Sequence, residues 1–104
     1  PVMTALDGQE PSAHPVNIRW GRSALEVLER GLELSLCRHL ETGRVLEVLT
    51  EYLRYDGQGV HCEDSTDYHL PVTPGDRLSV VRRISRGALC KKDGVTGWYF
   101  GRLR

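Results

Sequence analysis

Aromatic side chains are scarce in this chain. They make up 7% of its 104 residues, with a single phenylalanine. No apolar run approaches the roughly 18–20 residues that a membrane helix needs. Three cysteines, Cys37, Cys62 and Cys90, are odd in number and widely spaced. That excludes a dense disulfide scaffold and provides no paired C-x-x-C spacing for zinc. A reducing, cytoplasmic setting is the expectation. His14, His39, His61 and His69 form no spaced metal set, and neither a glycine-rich phosphate loop nor a nucleophile elbow is present. His61 and Cys62 are neighbours, and on a strand neighbours face opposite sides, so they are poorly placed to share a proton. Cys90 reads as a core residue. No cofactor, no metal and no enzymatic activity are expected.

What is present is ordinary for a globular domain: 39% hydrophobic and 27% charged residues. The first residues, PVMTALDGQEPSAHPVN, show no basic stretch followed by an apolar one. Lacking an initiator methionine and ending on Leu103-Arg104, the chain reads as a piece of a longer protein. The formal net charge of zero hides a split. Residues 1–76 hold six arginines against thirteen acidic residues, whereas 77–104 hold eight basic residues against Asp93 alone. Either the two halves neutralise one another in a packed structure, or the basic end meets an acidic partner.

Pro1, Pro11 and Pro15 with interspersed Gly, Ser and Gln mark residues 1–20 as a flexible arm or linker, whose Ile18 and Trp20 could dock on the domain. Ser23 and Glu26 fit a capping box, and Leu25, Leu28, Leu32 and Leu36 follow at helical spacing. Val45, Leu46, Leu49, Tyr52 and Leu53 keep that spacing until Asp56-Gly57. Helices over 23–40 and 44–54 are therefore expected, forming an extension over 21–56. A hairpin competes: Leu32, Leu34 and Leu36 also alternate, Thr42-Gly43 could turn, and Gly31 costs a helix interior about 1 kcal/mol. From Gly57 the pattern has period 2. Leu70 and Val72, then Leu78 and Val80, flank the turn Pro74-Gly75-Asp76. Ala88-Leu89-Cys90 precedes the hairpin signal Asp93-Gly94 and the aromatic strand Gly97-Trp98-Tyr99-Phe100. Such spacing suggests a small β-barrel over 57–104.

The stretches HLPVTPGDRLSVV, His69 to Val81, and DGVTGWYF, Asp93 to Phe100, resemble the SH3 family in order and spacing over about residues 58–104. The resemblance implies a small SH3-like antiparallel β-barrel, and with the N-terminal helical extension expected from the leucine spacing the chain reads as α+β. The run ALCKKDGVTGW, Ala88 to Trp98, is similar to the helically extended SH3 subgroup of the adhesion-and-degranulation-promoting adapter. That subgroup is associated with acidic phospholipid headgroups. In this alignment Val60 and Cys62 stand where the family has groove tyrosines. The groove tryptophan falls near Gly87 or Ala88, Phe100 replaces the proline, and Leu103 the last tyrosine. Binding of proline-rich ligands in the usual groove is therefore not expected.

The expectation is a non-catalytic protein–protein interaction module, a scaffold or adaptor, whose partner is another protein or the rest of its own chain. Glu63, Asp64 and Asp67, matching the acidic RT-loop positions, with Trp98 and Phe100, are the candidate protein-binding residues. Arg82, Arg83, Arg86, Lys91 and Lys92 are the candidate acidic-partner or lipid-binding residues, and the alternative is binding of acidic phospholipid headgroups at an inner membrane surface. Nucleic acid is disfavoured by the balanced net charge.

Overall fold

The structure, a computed structural model, describes residues 1–12, 17–19, 24–57, 59–62 and 64–104. The described residues form strands β1 (Val2–Thr4), β2 (Asn17–Arg19), β3 (Ala24–Glu29), β4 (Leu34–His39), β5 (Val45–Leu49), β6 (Leu53–Asp56), β7 (Gly59–Cys62), β8 (Asp64–Thr66), β9 (Arg77–Arg83), β10 (Ala88–Lys92) and β11 (Val95–Tyr99). One 3-10 turn, Thr50–Tyr52, joins β5 to β6. Two compact units result. The first combines Pro1–Pro15 with Tyr68–Arg104, and the second, Val16–Asp67, is inserted between those pieces in the sequence.

In the discontinuous unit the strand order is β1-β9-β10-β11, all antiparallel. Period 2 puts Leu78 and Val80 of β9, Ala88 and Cys90 of β10, and Tyr99 of β11 on one buried face with Ala5, Leu70 and Val72. Fully burying a leucine such as Leu78 contributes about 1.5–3 kcal/mol. Two turns set the register. Gly75, at φ 96, lets the chain reverse before β9. Asp93 and Gly94, at φ 51 and 78, form the two-residue hairpin between β10 and β11. β1 pairs with β9 through Val2↔Ser79, Met3↔Leu78 and Thr4↔Arg77. On its other side Thr4 and Arg104 exchange both backbone hydrogen bonds at 2.8 Å. A bulge at Val81 shifts the β9–β10 register, so Cys90 faces Val80 while Leu89 faces Arg82.

The inserted unit is a five-stranded antiparallel sheet, β5-β4-β3-β7-β6, with β2 paired to β8 beside it in sequence. Leu25, Cys37, Leu46, Val48, Leu53 and Cys62 form its core. Gly43, at φ 74, turns β4 back onto β5.

These strands overturn the expected α+β class. No α-helix is present among the described residues, and the sheets do not close into a barrel. Of the helical extension expected over 21–56, the described residues 24–56 form strands and one 3-10 turn instead. The leucine stripe at 25, 28, 32 and 36 does not share a face. Leu25 is buried, Leu28 sits at a bulge between Val27 and Glu29, and Leu32 is wholly exposed in a turn. The inward set of β4 is Ser35, Cys37 and His39, whose period of two is masked by Leu34 and Leu36 on the alternate positions. The hairpin alternative describes this segment. Residues 2–4 of the expected arm form β1, while Trp20 and Ser23 lie outside the described residues. Val60 and Cys62, which the resemblance aligned with groove tyrosines, belong to β7 of the inserted unit, and β1 is the strand that pairs with Arg77–Ser79.

Candidate protein-docking site

Strand pairing arranges the site. Directly opposed residues in an antiparallel sheet share a face. Arg82, Leu89 and Trp98 therefore form a row across β9, β10 and β11 on the face opposite the Leu78 core. Lys91 continues that face between Ser79 and Thr96. Trp98 is buried, 3% exposed.

Phe100 follows β11 and is half-buried. Its ring lies parallel to Trp98 at 6.1 Å between centroids, tilted by 13°. His69 meets the same ring edge-on at 4.8 Å and 74°. The Arg86 guanidinium stands over it at 5.2 Å. These separations lie within the range where ring quadrupoles attract other rings and cations.

The backbone beneath is held by Gln9. Its Nε2 donates to the carbonyls of Leu70 at 2.9 Å and Trp98 at 2.7 Å, and its Oε1 accepts from the Phe100 N–H at 2.9 Å. His69 is fixed by a parallel bridge to Trp98. Gly87 makes room: a Cβ there would lie 2.6 Å from Phe100 Cδ1 and from the Tyr99 carbonyl oxygen. Two planar rings and a guanidinium thus meet at the half-buried Phe100 ring. Such a ledge can stack flat side chains while its cation pairs with a carboxylate.

Of the other expected protein-binding residues, Asp67 belongs to the inserted unit, where its Oδ2 pairs with Arg44 Nη2 at 3.1 Å. Asp64 lies in β8, and Glu63 lies outside the described residues. The five cations are not gathered on one edge. Arg82 and Lys91 lie on the Trp98 face, and Arg86 is on the Phe100 ring. Arg83, opposite Ala88, donates to Met3 Sδ at 3.5 Å. Lys92, at the far end of β10, pairs with Asp76 at 2.8 Å and donates to the Pro71 carbonyl at 2.9 Å. Asp76 is held below the usual carboxylate range by that ammonium and by the Thr73 N–H.

Sequence reasoning missed His69 and Gln9. Gln9 sits in a stretch without periodicity, and nothing local announces that it bridges chain segments some ninety positions apart. Gly87, immediately before the buried start of β10, was the available signal that something bulky crosses there.

Elsewhere the chemistry is quiet. Cys37, Cys62 and Cys90 are fully buried. Burial raises the Cys37 thiol and pushes Cys90 up to about 11, which keeps both protonated at neutral pH. His61 pairs with Asp56 at 3.0 Å, with Cys62 beside it turned into the core. Among the described residues, no group of three His, Cys, Asp or Glu side chains could hold a metal ion, and no helix is long and apolar enough to cross a membrane. A cleft of about 110 Å³ lined by Tyr68, Leu70, Pro71, Lys92, Asp93 and Val95 lies beside the β10–β11 hairpin. No protein-family model, curated protein or solved structure matches the chain.

Proposed function

We propose that this chain is a non-catalytic adaptor module that docks an acidic segment of a protein partner on the Phe100 ledge. The observation that carries the reading is the convergence of Trp98, His69 and Arg86 on one half-exposed ring. Aromatic and arginine side chains supply much of the binding energy at protein interfaces, because they bury large area at low entropic cost. Charge supports an acidic partner. The discontinuous unit carries eight basic residues against four acidic ones, whereas the inserted unit carries six against ten. The resemblance of residues 69–81 and 93–100 to SH3 sequences agrees with an adaptor role. The ledge replaces the aromatic groove those domains use for proline-rich ligands. A flat anionic membrane is the less supported partner, since Arg83 and Lys92 do not share the face of Arg82 and Lys91.

Amide chemical shifts test the reading. Two short peptides with the same proline and leucine residues, one flanked by glutamates and the other by lysines, are titrated into the intact chain. The acidic peptide should shift His69, Gly87 and Phe100, and Phe100→Ala should remove the effect. Preference for the basic peptide, or shifts that survive Phe100→Ala, would refute it.

A further inference from the structure

The chain has four sulfur atoms, on Met3 and on Cys37, Cys62 and Cys90. The three cysteines are at 0% exposure, and burial keeps the Cys37 and Cys90 thiols protonated. Met3 is the one that reaches the surface. It is partly buried against the Leu78 core, and its Sδ accepts from the exposed Arg83 guanidinium, Nη1, at 3.5 Å.

Sheet register accounts for this contact. Met3 lies opposite Leu78 and so shares the core face of β9. Leu78 and Val80 succeed one another on that face, and a regular strand would place Arg82 there next. The bulge at Val81 instead sets Arg82 opposite Leu89, on the Trp98 side, and puts Arg83 on the core face opposite Ala88. Arg83 therefore ends the core row, where its side chain reaches the thioether of β1.

A thioether is a weak acceptor for so strong a donor. Among the described residues no carboxylate pairs with Arg83. One added oxygen changes the balance, because a sulfoxide is polar and its oxygen would take a charge-assisted hydrogen bond from a guanidinium already in place. We propose that Met3 is a peroxide-reactive modification site and that Arg83 holds its sulfoxide. The sulfur lone pair attacks one oxygen of hydrogen peroxide and the O–O bond breaks. The proton on the transferred oxygen passes to the departing hydroxide, which leaves as water. Sulfur is oxidised by two electrons and the peroxide is reduced. The new polar group turns to Arg83 rather than into the core, so β1 stays seated. Without Arg83 the same group would lie against the Leu78 core, and a strand of three residues would lose its hold. Sulfoxide reductases reverse the change, which makes the site a switch.

Hydrogen peroxide at millimolar concentration, added to the intact chain and followed by mass spectrometry, tests the proposal. One oxygen should appear at Met3 before any appears at Cys37, Cys62 or Cys90, and methionine sulfoxide reductases should remove it. The Arg83 side-chain N–H resonances should move on oxidation, while those of Arg102, paired with Asp7, stay in place. Arg83→Ala removes an exposed side chain and leaves the core intact. Oxidation should lower the thermal midpoint of that variant by about 4–8 °C more than that of the unaltered chain. Met3→Leu, which keeps the apolar contact, should hold its midpoint under the same treatment. An unoxidised Met3 in the folded chain, a cysteine oxidised first, equal losses with and without Arg83, or a loss in Met3→Leu would each overturn the proposal.

Discussion

Gly87 and Phe100 compete for one volume: the Phe100 ring stands 2.6 Å from where a Cβ on residue 87 would be, so the ring keeps its place only while position 87 has no side chain. Gly87→Ala should therefore move the ring. The Tyr99 carbonyl oxygen, equally close, is backbone in β11 and cannot yield cheaply. The expected cost is about 1–3 kcal/mol, as for overpacking in general. Chemical denaturation gives the free energy. The Arg86 side-chain protons, shifted by the ring current of Phe100, should return toward ordinary values, and unchanged Arg86 shifts would contradict the geometry.

Tyr99 fastens the N-terminal stretch to the last residues. It is fully buried, its hydroxyl donates to the Asp7 carbonyl at 2.8 Å with the Arg102 carbonyl at 3.1 Å, and it accepts from the Asp7 N–H at 3.1 Å. Tyr99→Phe should cost about 1–3 kcal/mol, because these backbone groups lose their buried partner. The loss should be selective: hydrogen exchange of the residue 7 and residue 102 amides should accelerate more than that of β10.

How far the sequence announces these arrangements depends on whether the signal is local. The β9–β10–β11 meander is legible because Leu78 and Val80 alternate, and because Asp93-Gly94 supplies positive φ at adjacent positions. The inserted unit is not, because leucines at both buried and exposed positions imitate a helical stripe. What distinguishes them is a turn at Leu32, fixed by hydrogen bonds of Ser35 and Thr50 to one another and to the Gly31 and Glu33 backbone. β1 is three residues long and pairs with β9 across about seventy-five positions, so its partner rather than its composition makes it a strand. Of the site, Trp98, Phe100 and Arg86 stood out as residue types, but their convergence with His69 needs Gln9, a contact that leaves no periodic trace.

Asp7 predicts an acid limb in the stability curve. Arg102 grips its carboxylate through the side chain, at 2.9 and 3.1 Å, and through the backbone N–H at 2.8 Å. The side-chain hydrogen bonds with Arg102, foremost, hold Asp7 down to about 2 from an ordinary 3.8. A group whose pKa is depressed on folding stabilises the folded state above its unfolded pKa and stops doing so as pH falls through the folded one. The Asp7 contribution should thus be complete above pH about 4 and vanish toward about 2. Denaturation midpoints followed across that window should fall less steeply for Asp7→Asn than for the unaltered chain. Parallel curves would show that the pair does not form.

The β10–β11 turn offers a test of backbone strain. Gly94 adopts φ 78, and a Cβ there meets nothing within 4 Å, so any cost of Gly94→Ala comes from conformation and not from crowding. A left-handed alanine costs about 1–2 kcal/mol. Thermal unfolding should show a loss of that size, while the Phe100 and Arg86 shifts stay as they are.

Buried thiols report how readily each unit opens. Cys90 sits in the discontinuous unit and Cys37 and Cys62 in the inserted one, all at 0% exposure. Burial holds Cys90 at about 11 and raises Cys37 above its ordinary value, so neither forms a thiolate until the surrounding strands separate. Reaction with an aromatic disulfide reagent at pH 8 should therefore be limited by opening and should quicken with mild denaturant. Two single-cysteine chains, keeping Cys90 or Cys37 and carrying alanine at the other positions, separate the units. If the units open independently, the two labelling rates will respond differently to Tyr99→Phe, which should quicken Cys90 alone. Rapid labelling of either thiol in the absence of denaturant would contradict the burial that sets both its chemistry and its core.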